Sequence, residues 1–205
     1  MAGNLSLGLI LDIGHRGKPQ ADSGATHVHA GRKRVEADLV TTYLDEAEDY
    51  AVGRGVVVHF IRPGMAGATY SARHREAVQV AQASRDRRWL YVQGHLNSTA
   101  GADPAYGLVG YDPRSAGGGA AAAHIARQLE AQARQVIRSA RAEAAEGPWT
   151  RMMTTISGIY AGPSNLSGIC YEPCFIQAAN LEAALVDIAH ALVDGALAWA
   201  AAGGR

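Results

Sequence analysis

Residues 6–17 read SLGLILDIGHRG. Leu7, Leu9, Ile10, Leu11 and Ile13 fill most of the run, one acid (Asp12) lies near its end, and Gly14 closes it just before His15. A short apolar run ended by glycine reads as a strand buried on both faces. In an open α/β sheet, ligands sit beyond the carboxyl ends of the strands. This stretch therefore puts His15 on the rim of a site, on the kind of rigid mount a metal ligand needs. Taken alone, it fits a histidine that merely caps a strand better.

Working outward, the pattern alternates between strands and helices. Asp22–Ala25 and His27–Gly31 read as loop. From Val35 to about Val52, Leu39, Tyr43, Ala47 and Tyr50 keep to one helical face. Val56–Ile61 reads as a second strand, broken by Arg62-Pro63-Gly64. A second helix spans Ser71 to about Ser84, and Trp89–Gly94 is a third strand that delivers His95 at its end. Tyr106–Tyr111 is a short strand, and Ser115 marks the N-cap region of an Ala-rich helix over roughly Ala120–Glu146. Met152–Ile156 and Ser167–Tyr171 read as the last strands, and Leu181–Ala200 as the closing helix. The expected fold is a three-layer α/β domain whose mostly parallel central sheet of about six strands is flanked by helices.

The bulk properties narrow the function. At 205 residues, 48% of them apolar, the chain is read as one domain over residues 1–205 with enough apolar residues for a full core. Lys+Arg and Asp+Glu balance at 19 each, which argues against a nucleic-acid binder. The N-terminus, MAGNLSLG, lacks the charged and apolar regions of a secretory signal, so synthesis in the cytoplasm is expected. The C-terminal run Ala183–Ala202 carries Asp187, His190 and Asp194 and reads as amphipathic, so no stable membrane insertion is expected. Two cysteines, Cys170 and Cys174, make no disulfide framework. Four residues apart on a strand they stand about 13 Å from each other, beyond the roughly 7 Å that a disulfide tolerates, unless the chain turns sharply at Pro173.

Three residues share a context. His15 and His95 each follow a buried strand, and Glu36 opens the first helix. Two imidazoles and a carboxylate make a three-ligand Zn²⁺ set with a fourth position open to water. The alternative is two loop histidines and a glutamate that suits the helix dipole. Glu172 follows the strand-like Gly168-Ile169-Cys170. An acid at a buried strand end is costly unless paired or used, and beside a metal it can move a proton.

With these residues in view, the chain resembles the zinc-dependent N-acetylmuramoyl-L-alanine amidases of the amidase type 3 family. The resemblance is carried by Leu11-Asp12-Ile13-Gly14-His15-Arg16-Gly17, Asp22-Ser23-Gly24-Ala25, Glu36-Ala37-Asp38-Leu39, Gly94-His95-Leu96-Asn97 and Tyr171-Glu172-Pro173-Cys174-Phe175-Ile176. It spans about Leu9 to Leu197. It implies that His15, Glu36 and His95 hold Zn²⁺, that Glu172 is the catalytic carboxylate, and that the substrate is peptidoglycan or a soluble muropeptide. The bond cut would be the amide between the muramic acid lactyl group and L-alanine. Arg16 and Asn97 are the expected substrate-binding residues.

The chain departs from the family at Arg16, where glycine is usual, at Gln93-Gly94, where Ser-Ile is usual, and at Cys174, again a usual glycine. The arginine often found before the catalytic acid has no equivalent in Met152–Tyr160. Only Ser98–Ala105 follows the second histidine in place of a long insertion, so an open site is expected. Among the other histidines, His27 and His29 read as solvated loop residues and His59 as a partnered strand residue. His74, His124 and His190 read as surface or helix-face residues. No Gly-x-Ser-x-Gly elbow and no His-Glu-x-x-His helix is present, which excludes two common hydrolase designs. The expected settings are a phage-type endolysin, acting on the wall after release, or a recycling enzyme. The rival readings are a same-fold amidase for another small amide and a non-catalytic peptidoglycan-binding module.

Overall fold

The structure, a computed structural model, describes residues 6–15, 23–62, 69–100, 105–145, 159 and 162–204. Its centre is a six-stranded sheet of β1 (Ser6–Ile13), β4 (Val57–Ile61), β5 (Arg87–Gly94), β6 (Tyr106–Tyr111), β7 (Ser139–Ala144) and β8 (Leu166–Glu172). The strand order is β4-β1-β5-β8-β6-β7. The pairs from β4 to β8 are parallel, β6 meets β8 antiparallel, and β7 runs parallel to β6. This is the mostly parallel α/β sheet the sequence led us to expect.

The helices are α1 (Glu36–Gly53), α2 (Tyr70–Ala83), α3 (Ala116–Gln132) and α4 (Leu181–Ala201). Alternation along β1 sorts its side chains onto two faces. Leu7, Leu9, Leu11 and Ile13 join the large cluster with residues of α1, α3 and α4. Ile10 joins Trp89, Tyr91 and Leu166 on the other face, under Ala77 and Ala81 of α2. Burial on both faces is why β1 reads as an almost unbroken apolar run. Helix α4 is long and apolar enough to cross a membrane, yet just over half of that window is buried inside the molecule. It packs on α1 and α3 as a core helix, which is what its apolar stripe is for.

Two elements correct the reading from sequence. Residues His27–Gly31 are not loop: β2 (Thr26–His29) and β3 (Arg32–Val35) form an antiparallel hairpin. Ala30 and Gly31 turn it with φ of 48° and 76°, the two positive values that a type I′ hairpin turn requires. The Ala-rich helix does not run to Glu146. It starts earlier, at Ala116, capped by the Ser115 hydroxyl accepting from the Gly118 amide, and stops at Gln132. The stretch 139–144 is the edge strand β7, with Ala140 and Ala142 packed inward and Ser139 and Arg141 exposed. Sheet pairing there overrides the helix propensity of Ala, Arg and Glu. The expected strand Met152–Ile156 lies outside the described residues.

Candidate functional site

The register of three parallel neighbours builds the site. Ile13, Gly94 and Tyr171 lie in one row across β1, β5 and β8. The ladder extends one step further, with the Gly14 amide donating to Gly94 O at 3.0 Å and the His95 amide donating to Tyr171 O at 2.9 Å. His15, His95 and Glu172 therefore emerge together at the carboxyl edge of the sheet, where parallel α/β folds place their ligands.

Glu36 arrives from a helix N-terminus. Val35 gives α1 no side-chain cap. Instead the Glu36 and Ala37 amides donate to Ala25 O at 2.9 Å and Ser23 O at 3.1 Å, docking the start of the helix on the preceding loop. The Ala25 amide then donates to Glu36 Oε2 at 2.8 Å, and the Leu96 amide to Oε1 at 3.0 Å. Gly24 passes this point with φ +72°, and a Cβ there would stand 2.5 Å from Glu36 Oε2. Close approach and a left-handed backbone both demand glycine at this turn.

Both imidazoles converge on one carboxylate oxygen. His15 Nε2 lies 3.1 Å and His95 Nδ1 3.2 Å from Glu36 Oε1, and the rings meet edge to face at 4.7 Å between centroids. The three donor atoms all fall within 4.8 Å of one another. Ligands bound at ~2.0–2.1 Å to a common tetrahedral ion stand roughly 3.3 Å apart. Two nitrogens and one oxygen at this spacing fit a divalent cation of the zinc type. Burial alone would push the Glu36 carboxyl up, but hydrogen bonds and charge from His15 and His95 outweigh it and hold the group well below the usual carboxylate range. His95 is shifted down by burial, keeping its ring neutral, as a ligand must be. A Cβ on Gly14 would sit 2.1 Å from the His95 ring, so the His95 position requires this glycine.

The strand that carries His15 is clamped from below. Arg73 of α2 is buried and donates to Asp12 Oδ1 at 2.5 Å, Ile13 O at 2.7 Å and Gly14 O at 3.2 Å. Tyr91 donates to Asp12 Oδ2 at 2.5 Å, and Tyr70 to Gly14 O at 3.2 Å. Burial raises the Asp12 carboxyl to about 6 against the opposing pull of Arg73 and Tyr91. From the other face, Tyr43 donates to His95 O at 3.2 Å. Such partners orient the groups that would hold a metal.

Glu172 is 4% exposed. Burial, joined by the negative charge of Glu36, pushes its carboxyl up to about 7, while Cys170, His15 and Asn97 pull the other way. Its Oε1 accepts from the Cys170 thiol at 3.8 Å, and its Oε2 is buried with no hydrogen-bond partner. Asn97 lies beside the same carboxyl and helps lower it, but its buried Nδ2 makes no hydrogen bond of good geometry. Its backbone is pinned by the Asn97 amide donating to Cys174 O at 3.0 Å and by the Ile176 amide donating to Asn97 O at 2.9 Å. An orphaned carboxylate oxygen and an orphaned amide donor beside a three-donor cluster leave an acceptor and a donor for a ligand.

The structure thus brings together His15, Glu36 and His95, with Glu172 and Asn97 close by; Arg16 lies outside the described residues. His59 is partnered by Glu76 at 2.8 Å, as expected. His190 bonds Glu46 at 3.0 Å and stacks on Tyr50. His74 is no free surface residue: it is half-buried edge-on to Tyr91, and burial lowers it to about 4. The clamp residue Arg73 escaped the reading from sequence. An arginine on the apolar face of a helix opposite a strand acid was the available signal. Arg34 escaped too, although it roots the hairpin. Buried on β3, it donates to Ile176 O at 2.9 Å, Ala178 O at 2.8 Å and Glu182 Oε1 at 2.7 Å. Neither Cys170 nor Cys174 is in a disulfide, and both are buried.

No protein-family model and no curated protein sequence matches the chain. Solved structures do. The N-acetylmuramoyl-L-alanine amidase AmiC2 of Nostoc punctiforme is similar at a TM-score of 0.66 and 19% identity, over 97% of this chain and 98% of that one. The catalytic domain of CwlV, an N-acetylmuramoyl-L-alanine amidase from Bacillus (Paenibacillus) polymyxa var. colistinus, gives 0.65 at 18% identity, over 95% of this chain and 97% of that one. The catalytic domain of the CD27L endolysin targeting Clostridia difficile gives 0.64 at 18% identity, over 93% and 96%. Over nearly its whole length, the chain has the fold of the N-acetylmuramoyl-L-alanine amidases.

Proposed function

We propose that the chain is a zinc-dependent amidase that hydrolyses the bond between N-acetylmuramic acid and L-alanine in peptidoglycan. The observation that carries this reading is the convergence of His15 Nε2 and His95 Nδ1 on Glu36 Oε1, with the unpartnered Oε2 of Glu172 nearby. His15, Glu36 and His95 would hold the ion, which when bound supplies Lewis acidity to water and to a carbonyl.

The chain's own residues supply the rest. Glu172, raised to about 7 by burial and by the Glu36 charge, is poised to take a proton from the attacking water and return it to the departing alanine nitrogen. The buried Nδ2 of Asn97 offers a fixed donor to a substrate oxygen. Arg73, Tyr70 and Tyr43 hold the backbone of Ile13, Gly14 and His95 still, so the donors need little rearrangement on loading. Lysis of whole walls, as by an endolysin, suits a chain that matches an endolysin catalytic domain over 93% of its length.

The test is digestion of purified peptidoglycan followed by mass spectrometry, with soluble muropeptides in parallel. The reading predicts free stem peptides with an L-alanine N-terminus and sugar chains with unsubstituted lactyl groups. Binding to sacculi without release of stems, or release of a different amine from another amide, would contradict it. Faster turnover of soluble fragments than of whole walls would move the setting from lysis to recycling.

A further inference from the structure

Cys170 stands two residues before Glu172 on β8, so both side chains leave the strand on the same face. They are 2% and 4% exposed, and the Cys170 Sγ donates to Glu172 Oε1 at 3.8 Å. The reaction proposed above has no use for a thiol. Burial and the neighbouring Glu172 charge keep this one in its S–H form, in which it is a donor. The terminal torsion of a glutamate is broad, so a carboxyl without partners samples many orientations. A donor on one oxygen selects among them.

We propose that Cys170 is a positioning residue: its thiol proton holds Oε1 of Glu172 and leaves Oε2 as the oxygen presented to the reaction. This rests on the reading of Glu172 as the proton-transferring carboxylate. A hydrogen bond to a carboxylate favours the ionised form. The thiol therefore both orients the base and makes it available at lower pH.

The test compares Cys170→Ala and Cys170→Ser with the wild type in kcat/KM against pH. Loss of the donor in Cys170→Ala moves the acidic limb upward by roughly half a pH unit or more. Cys170→Ser, which keeps a donor, brings it back to or below the wild-type position. A side chain that only fills space would leave the limb where it was in both variants, and that result overturns the proposal. A second readout needs no turnover. In metal-free protein at a pH well above the Glu172 titration, where the wild-type carboxylate is ionised, the S–H stretching band of Cys170, identified by difference from Cys170→Ala, shifts to higher frequency in Glu172→Gln, where the acceptor is neutral. An unshifted band overturns the proposal. Absence of hydrolysis by the wild type would count against the amidase reading, while the infrared band still judges the thiol.

Discussion

Glu172 is held in the fold at a cost, and the cost can be measured. Its carboxyl titrates at about 7 in the native state because burial and Glu36 disfavour its charge; in the unfolded chain it titrates at about 4.3. The native state therefore binds this proton more tightly. Stability falls as pH rises from about 4.3 through about 7, by on the order of 3–4 kcal/mol in all. Glu172→Gln removes the charge, so in chelator-treated protein the variant should be more stable than wild type at pH 8, with the gap closing below pH ~4.5. Urea melts at the two pH values check this. Asp12, raised to about 6, is common to both proteins and cancels in the difference. The same substitution should cut turnover by about 10²–10⁴-fold while the zinc content stays unchanged, as elemental analysis would report. Equal stability at both pH values would mean that the carboxyl is not desolvated as described.

At the scale of elements, the site depends on how strand ends are fastened. The buried guanidinium of Arg73 ties α2 to Asp12 and to the two carbonyls that lead into His15. Arg73→Met leaves Asp12 buried without its cationic partner and should destabilise by about 3–5 kcal/mol. Through the loosened His15 mount, zinc affinity should also fall by about 10–100-fold. Denaturant melts and competition with a chromophoric chelator measure the two effects. A stable variant with unchanged affinity would show the clamp to be idle. The central elements were legible in the sequence because their signals are strong. The run Leu7–Ile13 could only be a doubly buried strand, and Leu39, Tyr43 and Ala47 mark the inner face of α1. The misread elements are those where local chemistry is ambiguous. Ala30-Gly31 lacks the usual asparagine or aspartate of a hairpin turn, and the helix-forming residues of 139–144 become a strand only because β6 offers an edge to pair with.

Across the whole molecule, the proposed ligands follow β1 and β5 and open α1, and the proposed catalytic acid ends β8, so no local spacing announces the site. Ordered landmarks along the chain singled out His15, Glu36, His95, Glu172 and Asn97 as candidates. Their convergence needed the register of three strands and the docking of α1 on Ser23 and Ala25. Arg73 and Cys170 were not readable, because their roles depend on what faces them across layers. A metal that binds only the folded chain stabilises it by mass action, by about 2.7 kcal/mol at a hundred times its dissociation constant. Chelation should therefore lower the melting temperature as well as abolish hydrolysis, and added Zn²⁺ should restore both, read by differential scanning calorimetry beside the peptidoglycan assay.

The most direct measurement is an anomalous-difference map from crystals grown with zinc, recorded on both sides of the zinc absorption edge. The account predicts a single strong peak per chain bonded to His15, Glu36 and His95, with the Glu172 carboxyl facing it. No peak among these three side chains, or a peak elsewhere with the two imidazoles turned apart, would contradict it.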